Sequence, residues 1–160
     1  MKNNSFTVAV LGAGNIGSAV IERLLEVDNE VLNLSLSKVL VSDLSKERDI
    51  DGGLLTTDFD EILNDENIDL VIEVLGGVEP GKGYIKDLLE SGKSVITANK
   101  DIVADCGSEL IQIAQKNNVC LYFEAAVAGS IPVLKSLKEG LVANEVSKIY
   151  GILNLSLIHI

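Results

Sequence analysis

Three glycines, Gly12-x-Gly14-x-x-Gly17, stand between the apolar run Phe6 to Leu11 and a segment, Asn15 to Val27, whose residues Ile16, Ala19, Val20, Leu24 and Val27 recur at helical spacing. Glycine-rich turns are common, and this one gains its meaning from standing between a strand and a helix. The first glycine permits the tight bend, the second lets the backbone approach a pyrophosphate, and the third lets the helix lie close on the sheet. The helix start beyond them offers unpaired N–H groups and a positive dipole end, which suits an anion. Gly12, Gly14 and Gly17 therefore point to dinucleotide binding. The competing reading is a tight turn with a purely structural role.

The rest of the chain repeats the alternation. Lys38 to Val41 reads as a second strand, preceded by extended chain around Leu34 and Leu36. Asp58 to Leu63 is a short helix with Asp58 as its N-cap. Asp69 to Leu75 (DLVIEVL) is a buried strand closed by Gly76-Gly77. Pro80 to Ser91 is a helix with Gly92 just past its end. Ser94 to Ala98 is a strand, Ser108 to Lys116 a helix ended by Asn117-Asn118, and Val119 to Glu124 a further strand. Runs this continuous in Val, Ile and Leu are buried on both faces, which calls for a parallel sheet covered by helices. The fold expected is α/β, a doubly wound parallel sheet.

The 160 residues make one ordinary domain, and an apolar share of 47% is enough for its core. The character changes near Asn144, after which Glu145 to Leu153 is apolar with little chain left to use it. Residues 1–143 are therefore read as the dinucleotide-binding domain and 144–154 as the start of another. The last six residues, Leu155 to Ile160 (LSLIHI), correspond to what a common sequencing-library adapter encodes. We read 155–160 as a non-native tail, the alternative being a genuine terminal strand.

Thirteen basic residues against 24 acidic ones give a net charge of -11, and aromatics are only 4% with no Trp. Phosphate backbones and anionic membranes are repelled by such a surface, and base-stacking platforms are lacking. Nucleic acid and membrane are accordingly excluded as partners, and a phosphorylated cofactor has to be held by local backbone donors. Cys106 and Cys120 form no CxxC pair and His159 is the only histidine, so no zinc cluster is expected. Reduced thiols fit a cytoplasmic protein. No signal peptide and no membrane-spanning apolar window is present.

Four segments carry further candidates. In Val41-Ser42-Asp43-Leu44-Ser45-Lys46-Glu47-Arg48, an Asp43 carboxylate on the ribose 2′-hydroxyl selects NAD, whereas Lys46 or Arg48 on a 2′-phosphate admits NADP, and Ser42 serves either. Asp43 lies somewhat farther beyond Gly17 than the usual interval of about 20 residues. Glu73, inside an apolar run, must end its strand or be well paired. Lys100, after Thr97-Ala98-Asn99, would project into the crevice at the strand C-termini, where doubly wound sheets bind ligands, and offer charge or a proton, unless it is a surface lysine that starts a helix. Glu124, in EAAVAGSIP, could hold a hard monovalent cation with freed carbonyls, but one carboxylate is a thin metal site, and on chemistry alone a tight strand-to-helix turn is the favoured reading of the segment.

Together VAVLGAGNIGSAV, VLVSDLSKER, VIEVLGGVEP, SVITANKDIVA, FEAAVAGSIPVLKSL and YGILN resemble the cofactor domain of the homoserine dehydrogenases over nearly the whole chain. TANK and EAAVAG are the most specific of these stretches. The resemblance implies a Rossmann-type domain and reversible oxidation of L-homoserine to L-aspartate 4-semialdehyde with NAD or NADP. That reaction lies on the aspartate route to threonine, isoleucine and methionine. It implies cofactor contacts from Gly12, Asn15, Ile16 and Gly17, from Leu75 and Gly76, and from Ala98. Lys100 is implied at the hydride-transfer centre, and sodium at Glu124 with the carbonyls of Val127, Gly129 and Ile131. The full-length enzyme is implied to be a homo-oligomer. Two departures stand out: Ser42 replaces an Arg common among members, and Ser130 replaces a second glycine. In the family YGILN continues into Gly-Thr-Thr-Asn and a substrate domain with a second essential lysine. The chain as written is thus expected to bind cofactor, to turn over little, and to be poorly soluble through its apolar end. A start at Met1 speaks against an upstream fusion. A stand-alone nucleotide sensor and an aspartate-type amino-acid dehydrogenase are the alternatives, the first having no need of Lys100 or Glu124 and the second disfavoured by TANK.

Overall fold

The computed structural model describes residues 5–26, 33–129 and 131–151. Six parallel strands form one sheet: β1 Phe6–Leu11, β2 Leu34–Leu40, β3 Leu55–Thr56, β4 Leu70–Glu73, β5 Ser94–Thr97 and β6 Leu121–Tyr122. Their spatial order is β3-β2-β1-β4-β5-β6, so the winding reverses between β1 and β4. The helices are α1 Asn15–Glu26, α2 Asp60–Leu63, α3 Gly81–Glu90, α4 Lys100–Lys116, α5 Glu124–Ala128 and α6 Val133–Lys135, the last running into a π-helical turn Ser136–Gly140. This is the doubly wound parallel sheet the sequence predicts.

The strands are covered on both sides because their side chains alternate. Val8 to Leu11 are fully buried: Ala9 and Leu11 join one core with Ile85, Leu88 and Leu89 of α3 and Ile102, Cys106, Leu110 and Ala114 of α4. Val10 turns the other way, onto Ile21 of α1 and Val39 and Val41. Each fully buried Leu or Ile contributes about 1.5–3 kcal/mol, which fixes the helix faces. Coverage on the α1 side is uneven. Val39, Val10, Ile72, Ile96 and Tyr122 lie in one register row across the sheet; the first two are buried, the next two half-buried, and Tyr122 is 57% exposed.

Several boundaries differ from expectation. α4 starts at Lys100 rather than Ser108, because the Asn99 side chain caps it and Ile102 and Cys106 continue the buried stripe. A kink at Cys106 (φ -140) beside Gly107 is what breaks the sequence pattern there. Only Leu121–Tyr122 of the expected last strand pairs with β5, and Glu124 opens α5 instead of closing a strand. Strand β3 has no sequence signal of its own, being two residues that pair with β2. Asp58 does accept a hydrogen bond from Asp60 N (3.0 Å), although the helix itself covers only Asp60–Leu63. Residues 145–151 are exposed and form no helix or strand. Val27, Ser130 and the 155–160 tail lie outside the described residues. No helix among the described residues is long and apolar enough to cross a membrane.

Candidate functional site

A cleft of about 1050 Å³ opens at the C-terminal ends of β1, β2 and β4, where the strand order reverses and doubly wound sheets bind their ligands. Its floor is the glycine turn. Gly12 has φ +104, a conformation other residues rarely adopt, and its N–H donates to Leu40 O (2.9 Å). A Cβ on Gly17 would stand 2.1 Å from Gly12 O, so the third glycine is demanded by the contact of helix and turn. Gly14 is different. A Cβ there would meet nothing within 4 Å, and the same holds for Gly76 on the opposite strand end. Both line the cleft. The protein's own packing gives no reason for a glycine at either place, whereas a ligand backed against the chain does.

The segment after β2 divides its charges. Ser42, Lys46 and Arg48 line the cleft. The Asp43 carboxylate accepts from Ser45 Oγ (2.7 Å) and Ser45 N (2.8 Å), and these two bonds hold it below the usual carboxylate range. Asp43 does not line the cleft. One guanidinium nitrogen of Arg48 donates to Asp43 O (2.8 Å) and Lys46 O (3.0 Å), bracing the loop over its own backbone.

At the ends of β4 and β5 lies a buried polar cluster. Glu73 is fully buried, accepts from Leu75 N (2.8 Å) and from the Thr97 hydroxyl, and is pushed above its ordinary value by burial. Asn99 N donates to Thr97 Oγ1 (3.0 Å). The Asn99 amide donates to Gly77 O (2.6 Å) and Leu75 O (3.3 Å), and its oxygen accepts from Asp101 N and Ile102 N (3.2 Å each). Sequence reasoning missed Asn99 and the use of Thr97. An Asn directly before a helical segment is an N-cap signal that could have found the first.

The other expected residues fall around the cleft. Asn15 and Ile16 open α1 and line a shallow apolar hollow on its outer side. Ala98, whose N–H donates to Glu73 O (3.3 Å), and Lys100, exposed in the first turn of α4, stand outside the cleft lining. Glu124 is spent locally: its carboxylate accepts from Leu134 N (2.7 Å) and Lys135 N (3.0 Å), capping α6. Ile131 O accepts from Val133 N (2.8 Å), and Gly129 turns the chain at φ +60. Among the described residues no three His, Cys, Asp or Glu side chains gather as a metal cluster.

Sheet order, glycine turn and cleft define a dinucleotide-binding domain. The family profile described as the NAD binding domain of homoserine dehydrogenase matches residues 12–124. The homoserine dehydrogenase of Bacillus subtilis (strain 168) is 43% identical over 154 residues, covering 92% of this chain and 36% of the relative. That of Mycobacterium tuberculosis (strain ATCC 25618 / H37Rv) is 44% identical over 153 residues, covering 92% and 34%. The crystal structure of a homoserine dehydrogenase from Thiobacillus denitrificans superimposes with a TM-score of 0.79 at 38% identity, covering 87% of this chain and 34% of that one. The chain belongs to the homoserine dehydrogenase family of oxidoreductases, and spans about a third of the length of these relatives.

Proposed function

We propose that this chain is the cofactor-binding part of an enzyme that interconverts L-homoserine and L-aspartate 4-semialdehyde. The observation that carries the reading is the pair of cleft glycines, Gly14 and Gly76, which the protein's own packing does not require and which leave the backbone open to a ligand. When bound, NAD(P) supplies hydride acceptance from the carbinol carbon of homoserine, or donation in reverse. By the resemblance, the chain's own residues would seat and orient it: the N–H groups opening α1 at Asn15, Ile16 and Gly17 would take the pyrophosphate, with Leu75 and Gly76 in the cleft lining and Ala98 outside it supporting the dinucleotide farther along. Lys100, exposed and cationic, holds the nicotinamide side and assists proton movement at the substrate oxygen. Glu73 stays out of the chemistry, buried beneath.

Within this reading the cofactor is NADP. Ser42, Lys46 and Arg48 line the cleft, while the Asp43 carboxylate, the group that would select a 2′-hydroxyl, is turned onto Ser45. A 2′-phosphate would meet Lys46 and Arg48 there, with the Glu47 and Asp49 carboxylates of the same loop also in the lining. The sodium site at Glu124, Val127, Gly129 and Ile131 rests on the resemblance alone. Each Glu124 oxygen and the Ile131 carbonyl already accept one backbone N–H, so a cation would share these atoms with those bonds, and no step is routed through it. The net charge of -11 argues against nucleic acid. The free thiols of Cys106 and Cys120 suit a reducing, cytoplasmic setting, and a homo-oligomer is the expected state of the longer enzyme.

Titrating the purified chain with NADPH and with NADH, followed by nicotinamide fluorescence, tests the reading. Saturable uptake favouring NADPH by about tenfold, worth roughly 1.4 kcal/mol, is expected. Absence of uptake of either overturns it, and equal affinity overturns the NADP preference alone.

A further inference from the structure

The buried cluster of Glu73, Thr97 and Asn99 has a geometry that burial alone does not require. Leu75 is gripped from both sides of its Cα: its N–H donates to Glu73 Oε1, and its carbonyl accepts from the Asn99 amide, which also holds Gly77 O. Gly76, between them, is thus framed on either side by fixed peptide groups. Asn99 does a second job with its other end, where its oxygen caps Asp101 N and Ile102 N in the first turn of α4, the turn that carries Lys100. Thr97 ties the two functions together, donating to Glu73 and accepting from Asn99 N. The space beside Glu73 is full: a Cβ on Gly81 would come 3.3 Å from Glu73 Oε1 and 2.9 Å from Ile102 Cδ1.

A fully buried carboxyl is costly unless its hydrogen bonds are made. An apolar residue would fill the same space without that cost. What the carboxyl supplies is direction, because each bond fixes a peptide group at the cleft edge or leads to one. We propose that Glu73, Thr97 and Asn99 are positioning residues that hold Gly76 and Lys100 in one fixed relation, so that a dinucleotide seated on the Leu75–Gly77 loop is presented to the Lys100 ammonium. The proposal rests on the cofactor reading given above. None of the three touches the reacting atoms; each acts through the loop and the helix start.

The coupling is measurable without cofactor. Amide hydrogen exchange on the 160-residue chain reads the loop at 75–77 and the helix start at 101–102 separately, and NADPH fluorescence reads the consequence. Asn99→Asp keeps the capping oxygen and replaces the amide donor with an acceptor facing two carbonyls. Its expected result is faster exchange at 75–77, unchanged exchange at 101–102, and NADPH affinity lower by about tenfold, the loss one good hydrogen bond conveys. Thr97→Val is expected to speed exchange at both places, and Thr97→Ser, which keeps the hydroxyl, to restore both. Should Thr97→Val fail to fold, Asn99→Asp and Thr97→Ser still decide. Exchange that changes in only one segment of Thr97→Val, or NADPH affinity unmoved in Asn99→Asp, overturns the proposal. A wild-type chain that takes up no NADPH while the two segments still respond together overturns the cofactor reading and leaves the coupling standing.

Discussion

Gly17 and Gly12 are in such close contact that a Cβ on the first would stand 2.1 Å from the carbonyl oxygen of the second. No rotamer relieves a clash made by the Cβ itself, so helix α1 must move off the turn. Gly17→Ala is expected to destabilise the domain by about 3 kcal/mol or more, at or beyond the upper end of ordinary overpacking. Gly14→Ala meets open space and is expected to leave stability within about 0.5 kcal/mol of wild type while weakening NADPH binding. Urea unfolding of both variants beside a fluorescence titration separates the two roles. Equal destabilisation by the two substitutions would refute the distinction.

Glu73 gives a pH dependence whose sign is fixed by its burial. Its folded-state value is raised above the ordinary 4.5, chiefly by desolvation and against the pull of the Thr97 and Leu75 bonds, and the partners are neutral. The native state therefore holds this proton to higher pH than the unfolded chain does. The stability it contributes is complete below about pH 4.5 and is lost as pH rises through the folded-state value. Glu73→Gln does not titrate. The stability of Glu73→Gln relative to wild type should then climb with pH above about 4.5, by at most roughly 1.4 kcal/mol per unit, and level off once Glu73 is ionised in both states. Parallel curves for the two proteins would show that Glu73 is not perturbed.

These two sites also show where the sequence could be read and where it could not. Gly12, Gly14 and Gly17 were legible because the motif is local: strand, turn and helix start lie within a dozen or so residues. β1, β4 and β5 announced themselves as apolar runs, and the doubly wound parallel sheet followed from the alternation, whereas the order of its strands did not. Leu55–Thr56 did not, since two residues become a strand only by pairing with Val39 and Leu40. Glu73 was marked as needing a partner, but which partner depends on β5 lying alongside β4 so that Thr97 comes opposite it. Glu124 was read as a free carboxylate at a strand end because the N–H groups that claim it come from a helix start about ten residues further on, a contact no local pattern encodes.

That capping contact makes its own prediction. Glu124 supplies both acceptors for the first turn of α6, and loss of an N-cap acceptor costs about 0.5–2 kcal/mol. Glu124→Ala is expected to loosen residues 133–140, seen as faster amide exchange confined to that segment, in a buffer free of sodium. A cation held by Glu124, Val127, Gly129 and Ile131 would have to share or displace the Leu134 and Lys135 N–H groups. Exchange at those two amides is therefore expected to be the same in sodium and in tetramethylammonium salts at equal ionic strength. A specific sodium effect, absent in Glu124→Ala, would establish the cation site and show that the cap gives way to it.

Several large apolar side chains are exposed near the end of the described residues. Val142 is 79% and Tyr150 86% exposed, Val146 and Ile149 are exposed between them in sequence, and the row across the sheet opens toward Tyr122 on the side α1 does not reach. Apolar surface gathered in this way drives association. The 160-residue chain is expected to self-associate as its concentration rises, with a sedimentation or light-scattering mass above 17.1 kDa. Replacing Val142, Val146, Ile149 and Tyr150 with Lys or Ser should lower that mass toward the monomer without altering the melting temperature or NADPH uptake, since none of the four packs in the core. Retained association in the quadruple variant would shift the cause to the sheet face at Tyr122, where Tyr122→Lys is the corresponding test. A chain that stays monomeric at all concentrations would refute the argument from exposed apolar surface.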